Sequence, residues 1–138
     1  MILIISHADG TTTVSDTRTI AEAQDDAITR VEAEYEVQIA AGAVYAGRPL
    51  QIDRESTADM TAMAAQVTAG IPLVPNFAWR MADHTYLPVT GQQVIELGAT
   101  AAARVYALRL ALWAAKDAAR AATTREEADA TVAEWPKA

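Results

Sequence analysis

The spacing of apolar positions along this chain changes from element to element, and the changes mark the elements out. Residues 2–6 (ILIIS) are a continuous apolar, β-branched run. Asp9-Gly10 follows, a dipeptide that favours a tight turn between antiparallel strands. β-Branched residues return at 11–14, so residues 2–14 are expected to form a β-hairpin. Thr19 with Glu22 makes a capping box, the reciprocal pairing that starts a helix. Ile20, Ala27, Val31 and Tyr35 then recur at helical spacing, with Ile28 and Ile39 alongside and Gly42 as the stop.

Residues 44–53 (VYAGRPLQID) predict a second short hairpin turning at Gly47-Arg48-Pro49. Ser56 with Asp59 signals the next helix start, Met60, Met63, Ala64 and Val67 form its apolar stripe, and Gly70 ends it. Pro72 and Pro75 make residues 71–76 an extended connection. Phe77, Trp79 and Met81 alternate with Ala78 and Arg80, the period of a strand. Asp83-His84-Thr85 turns the chain, and residues 86–89 return as an edge strand containing Pro88.

The strongest signal comes last. Thr90 with Gln93 is another capping box, and Val94, Leu97, Ala101, Val105, Leu108, Leu112, Ala115 and Ala119 recur every three or four residues. Half of residues 99–122 are Ala, the best helix former. A helix from 91 to 121 would be about 45 Å long. A compact domain of this size is roughly 28 Å across. The helix is therefore expected to kink or to project toward a partner. Thr123 with Glu126 opens a short final helix through Glu134, with Ala128, Val132 and Trp135 on one face and Pro136 as the stop. The fold class is α+β: small hairpins packed with helices, ending in a long Ala-rich helix and a short one. Two segments are expected, residues 1–42 (hairpin plus helix) and residues 43–138.

Charge narrows the partners. The chain carries a net −7, and residues 1–60 hold eleven acidic residues against four Arg. Such a surface repels phosphate backbones, so nucleic acid is not an expected partner. No run approaches the roughly 18 apolar residues of a membrane-spanning helix, so no membrane partner is expected either. Residues 1–10 lack the basic start and the apolar length of a signal peptide. There is no Cys, which removes disulfides, zinc–thiolate sites and thiol catalysis.

Candidate chemistry is sparse. Ser6-His7-Ala8-Asp9 puts Ser, His and Asp together, but on a predicted tight turn, whereas a catalytic triad draws its members from separate segments. His84 follows Asp83 at a predicted hairpin tip. Asp25 and Asp26 point to different sides of a helix, and Glu32, Glu34 and Glu36 do not share a face. No phosphate-binding or nucleophile motif is present. No metal or cofactor is expected, and the chain is expected not to be an enzyme. A small hydrolase using His84 or His7 is the remote alternative. Trp79, Trp113 and Trp135 are core anchors on the plain reading. On the alternative reading Trp113 anchors an interface on the long helix, together with Leu112, Leu108, Val105 and Arg109.

The order of these parts resembles a known family. VYAGRPLQIDRESTADM, then NFAWRMADHTYLPVTGQQVIELG, then the long helix and ATTREEADATVAEWP, is similar to an uncharacterised domain family. That family occurs at the C-terminal end of phage and prophage tail-associated proteins, beside tail-fibre and fibre-assembly genes. The matching positions are Gly47, Asp53, Ser56, Trp79, Asp83, Thr90, Thr123, Trp135 and Pro136, spanning residues 43–137. The turn Asp83-His84-Thr85 departs from the Asp-Asn or Asp-Gly more usual there. Residues 1–42 lie outside the pattern. The resemblance brings no catalytic residues. It implies a non-enzymatic structural component of a bacteriophage tail, at the baseplate or fibre attachment. Such a protein would be made in the bacterial cytoplasm and carried in the virion tail. Its partners would be other tail or fibre proteins; further copies of the chain are expected as partners because the apolar stripe of the long helix is longer than a monomer can cover. A tail-fibre assembly chaperone is the alternative.

Overall fold

The computed structural model describes residues 1–138. Element order is β1 (Ile2–Ser6), β2 (Thr12–Asp16), α1 (Ile20–Ala41), β3 (Ala43–Tyr45), β4 (Arg48–Leu50), α2 (Arg54–Thr68), β5 (Ala78–Arg80), β6 (Tyr86–Pro88), α3 (Gly91–Ala121) and α4 (Arg125–Asp129). The strands form three separate antiparallel pairs, β1–β2, β3–β4 and β5–β6. The fold is the expected α+β arrangement, with the long helix unbroken over 31 residues and followed by a short one.

Local chemistry explains most boundaries. At the first turn the Asp9 carboxylate accepts from the Thr11 N–H at 2.9 Å and the Thr11 hydroxyl at 2.6 Å. Both bonds hold its carboxyl below the usual range. The ladder runs further than residue 14, to the pair Ile2–Asp16. The Thr19–Glu22 and Thr90–Gln93 boxes form as expected, each with its two reciprocal hydrogen bonds.

Four local expectations are corrected. The second hairpin turns at Ala46 (φ 51°) and Gly47 (φ 72°), leaving Arg48 and Pro49 inside β4. Consecutive left-handed residues match the twist of a two-residue hairpin better than a Pro-containing turn does. Helix α2 is capped by Asp53, whose carboxylate accepts from the Ser56 N–H, so the helix starts before Ser56. The last box is shifted by one residue: Thr124 caps α4 by accepting from the Glu127 N–H, while the Glu127 carboxylate takes the Thr123 N–H at 2.7 Å. Helix α4 stops at Asp129 rather than Glu134, and Val132 is exposed.

The chain forms two compact units, residues 1–33 with 112–134, and residues 34–111 with 135–138. This differs from the expected division at 42/43. The division falls within α1 and α3 because each of these helices supplies residues to both units.

In the first unit the interior is nearly all alanine. Ala23, Ala27 and Val31 of α1 are buried, as are Ala115 and Ala119 of α3 and Ala128 of α4. Gln24 donates to the carbonyls of Arg120 and Ala122, and Lys116 pairs with Glu32, so these helix segments run antiparallel. Arg18 is buried and meets three carboxylates: Asp16 at 2.8 Å, Asp26 at 2.9 Å and Asp129 at 2.6 Å. Arg125 donates to the carbonyls of Asp16 and Arg18, which closes the cluster.

The second unit has a larger apolar core, with Leu50, Met60, Met81, Val94, Leu97 and Leu108 fully enclosed. Its two hairpins are joined by the Ala82 N–H donating to the Pro49 carbonyl and by Arg48 donating to the Thr85 hydroxyl. Tyr45 donates to Glu96 at 2.9 Å. Trp135 stacks obliquely on Tyr35, with centroids 6.4 Å apart, and donates to Glu34. Gly42 turns the chain from α1 into β3 at φ 77°, and a Cβ there would sit 2.4 Å from the Leu50 carbonyl oxygen.

Two stability outcomes follow. Gly42→Ala combines a disfavoured φ with a backbone clash, and should cost at least about 1 kcal/mol in denaturant unfolding. The second concerns acid. The Arg18 guanidinium holds the Asp16 carboxyl far below its ordinary range, so the folded pKa lies below the unfolded one. The stabilisation is complete above an unfolded pKa of about 3.9 and is lost as pH falls toward the folded value. The melting temperature should therefore hold from neutral pH to about 5 and fall below about 4. Asp16→Asn should flatten that fall, and an equally steep fall would exclude Asp16 as its source.

Candidate interaction site

Each expected interface residue on α3 has a definite place. Leu108 is fully buried in the core of the second unit. This corrects its assignment to a surface: the apolar stripe that marked it faces the protein interior. Val105 is half-buried against the same core. Leu112 is half-buried in the first unit, and Trp113 leaves 48% of its surface exposed. Arg109 is exposed.

Val105 and Arg109 converge on a cleft of about 490 Å³ in the second unit. Tyr35, Glu36 and Ile39 reach it from α1, Ile52 from the segment after β4, and Arg54 and Thr57 from α2. Ile39 and Val105 supply apolar surface above the buried Ile52, while Glu36, Arg54 and Arg109 supply charge. The volume falls within the range of about 300–1,000 Å³ typical of ligand sites. A second cleft, of about 610 Å³, borders residues 70–76 and has no charged side chain in its lining.

The two arginines are available. The chain's ion pairs are made by Arg18, Lys116 and Arg120, so neither Arg54 nor Arg109 is neutralised by a neighbour. Arg54 is also the first residue of α2, after the Asp53 cap. A cation there opposes the helix dipole, which favours negative charge at that end. Its position therefore does not serve the helix. Guanidinium groups beside aliphatic surface recognise carboxylates through paired N–H donors. Sequence reasoning found Arg109 and Val105 and missed Arg54. The signal that could have found it was a basic residue in the first turn of a predicted helix.

The histidine sites resolve into turn chemistry. His7 Nε2 lies 2.7 Å from the Thr13 hydroxyl, across the first hairpin. Asp9 spends its carboxylate on Thr11 rather than on His7. Ser6, His7 and Asp9 thus form no relay. His84 occupies a left-handed turn position (φ 67°), and Asp83 is committed to the Thr85 N–H and hydroxyl, which lower its pKa. No group of three or more His, Asp or Glu side chains is placed to hold a metal ion. No helix is long and apolar enough to cross a membrane.

A family model matches residues 22–132. The chain belongs to the family described as Domain of unknown function (DUF4376). No curated protein and no solved structure matches the chain. The DUF4376 match takes in nearly all of α1, which the sequence resemblance had left outside with residues 1–42, and it contains every residue that lines the cleft. Strands β1 and β2 precede it.

If Arg54 serves a ligand rather than the helix, charge reversal should not harm the fold. Arg54→Glu is expected to leave thermal stability unchanged or to raise it by about 0.3–1 kcal/mol. A clear loss of stability would make Arg54 a structural residue and remove it from the site.

Proposed function

We propose that the protein is a non-enzymatic structural component of a bacteriophage or prophage tail region, at the baseplate or fibre attachment. It acts through contacts with other tail or fibre proteins and with further copies of itself. The observation that carries this reading is the cleft in which Arg54 and Arg109, neither of them ion-paired, stand beside apolar surface from Ile39 and Val105. In an acidic chain such a cleft suits a neighbouring protein that presents a carboxylate next to aliphatic side chains. The ordered resemblance over residues 43–137 to a domain of tail-associated proteins supplies the context.

Quantitative mass spectrometry of purified particles tests the proposal. The protein should be present in mature particles at a fixed ratio to the tail proteins. The folded double variant Arg54→Glu/Arg109→Glu should be at least ten-fold depleted. A protein found with fibre subunits in lysates but absent from mature particles would replace this reading with an assembly chaperone. Undiminished incorporation of the double variant would remove the cleft from the contact. Replacement of His7 and His84 by Ala should leave particle yield unchanged, and a loss of yield in a folded variant would revive the hydrolase alternative.

A further inference from the structure

The β1–β2 hairpin is apolar on both faces and covered on neither. Ile2, Leu3, Ile4 and Ile5 expose 51%, 47%, 64% and 43% of their surfaces, and Val14 exposes 64%. Isolated two-stranded ribbons are marginal in water, and stable sheets have at least three strands or a covering layer. The outer edge of β1 has no Lys, no Pro and no bulge, the devices that keep an edge strand from pairing.

Hydrogen-bond parity shows which backbone groups this edge offers. The His7 N–H donates to the Thr11 carbonyl, and the Thr17 N–H to the Met1 carbonyl. In the register that pairs Ile4 with Val14, the odd-numbered residues of β1 therefore point their backbone groups at β2. The even-numbered residues, Ile2, Ile4 and Ser6, point theirs outward. That set is symmetric about Ile4.

We propose that β1 pairs antiparallel with β1 of a second copy of this chain, about a two-fold axis through Ile4, giving a four-stranded sheet of order β2-β1-β1-β2. In this register Ile4 faces the partner's Ile4, and Ile2 faces the partner's Ser6. Each is a hydrogen-bonded pair in which both N–H···O bonds form, so every outward backbone group of β1 finds a mate. Leu3 falls opposite the partner's Ile5, so apolar side chains meet apolar side chains on both faces. Charge selects the direction. Parallel pairing would place the two Asp9 turns side by side, whereas antiparallel pairing about Ile4 sets them beyond opposite ends of the paired strands, roughly 30 Å apart. A symmetric contact of this kind closes on itself and does not propagate into a filament. The inference rests on the hairpin alone and is independent of the cleft and of the tail assignment.

Cysteine cross-linking of the chain tests it, because these 138 residues contain no Cys. Ile4 and Val14 are equally exposed, so random collisions treat Ile4→Cys and Val14→Cys alike. In the proposed dimer the Cα atoms of position 4 lie about 5.5 Å apart, within disulfide reach. Those of position 14 are three strand spacings apart, roughly 14 Å. Under mild oxidation Ile4→Cys should form a covalent dimer at least ten-fold faster than Val14→Cys. Equal rates, or no dimer from Ile4→Cys, would overturn the proposal. Sedimentation of the unaltered protein at about 100 µM should give twice the 14.7 kDa monomer mass, and Ile4→Lys should return it to the monomer. A wild-type monomer at that concentration would also overturn it.

Discussion

No sheet in this protein exceeds two strands, and the rest of the structure answers to that constraint. A hairpin this small has no interior, so its apolar side chains must be covered by something else. The second unit meets the need with helices. Leu50, Met81 and Val89, which lie in or next to β3–β4 and β5–β6, share a core with Met60 of α2 and with Val94, Leu97 and Leu108 of α3. The hairpins are also tied to each other by the Ala82–Pro49 backbone bond. In the first unit the β1–β2 ribbon keeps its aliphatic side chains exposed. The same element type is thus buried in one place and left open in another.

Two buried arginines show how each unit holds its polar parts. Arg18 is neutralised several times over, by Asp16, Asp26 and Asp129, and the three carboxylates raise its pKa. Removing any one partner leaves the others in place. Arg104 has no carboxylate. It donates to the carbonyls of Gly42 and Pro136, and burial lowers its pKa. Carbonyl dipoles satisfy donors without cancelling a charge. Arg104 therefore works as a clasp between α3, the α1–β3 turn and the end of the chain. A clasp of this kind depends on geometry, and the φ of Gly42 provides part of it.

The cleft illustrates how far one-dimensional pattern carries a site. Val105 and Arg109 were legible because α3 has unmistakable helical spacing. Leu108 was legible as apolar but not as interior, since a stripe along one helix does not say what covers it. Arg54 was invisible to motif reasoning, yet its conflict with the helix dipole was written in the sequence once Asp53 was known to be the cap. Tyr35, Ile39 and Ile52 join the site because α1 and the segment after β4 pack beside α2 and α3. No local rule could have brought them together.

By itself the sequence determined the elements. Capping boxes, Gly stops and the Asp9-Gly10 turn act over three or four residues, and their physics is complete within that span. The boundaries of α3 and the left-handed stop at Gly42 belong to this class. Tertiary structure decided what local physics leaves open. It divided the chain within α1 and α3, enclosed Leu108, set Arg54 and Arg109 on one cleft, and left β1 with an open edge. Each of these depends on which surfaces meet across dozens of residues, and burial is a property of the meeting rather than of either surface alone.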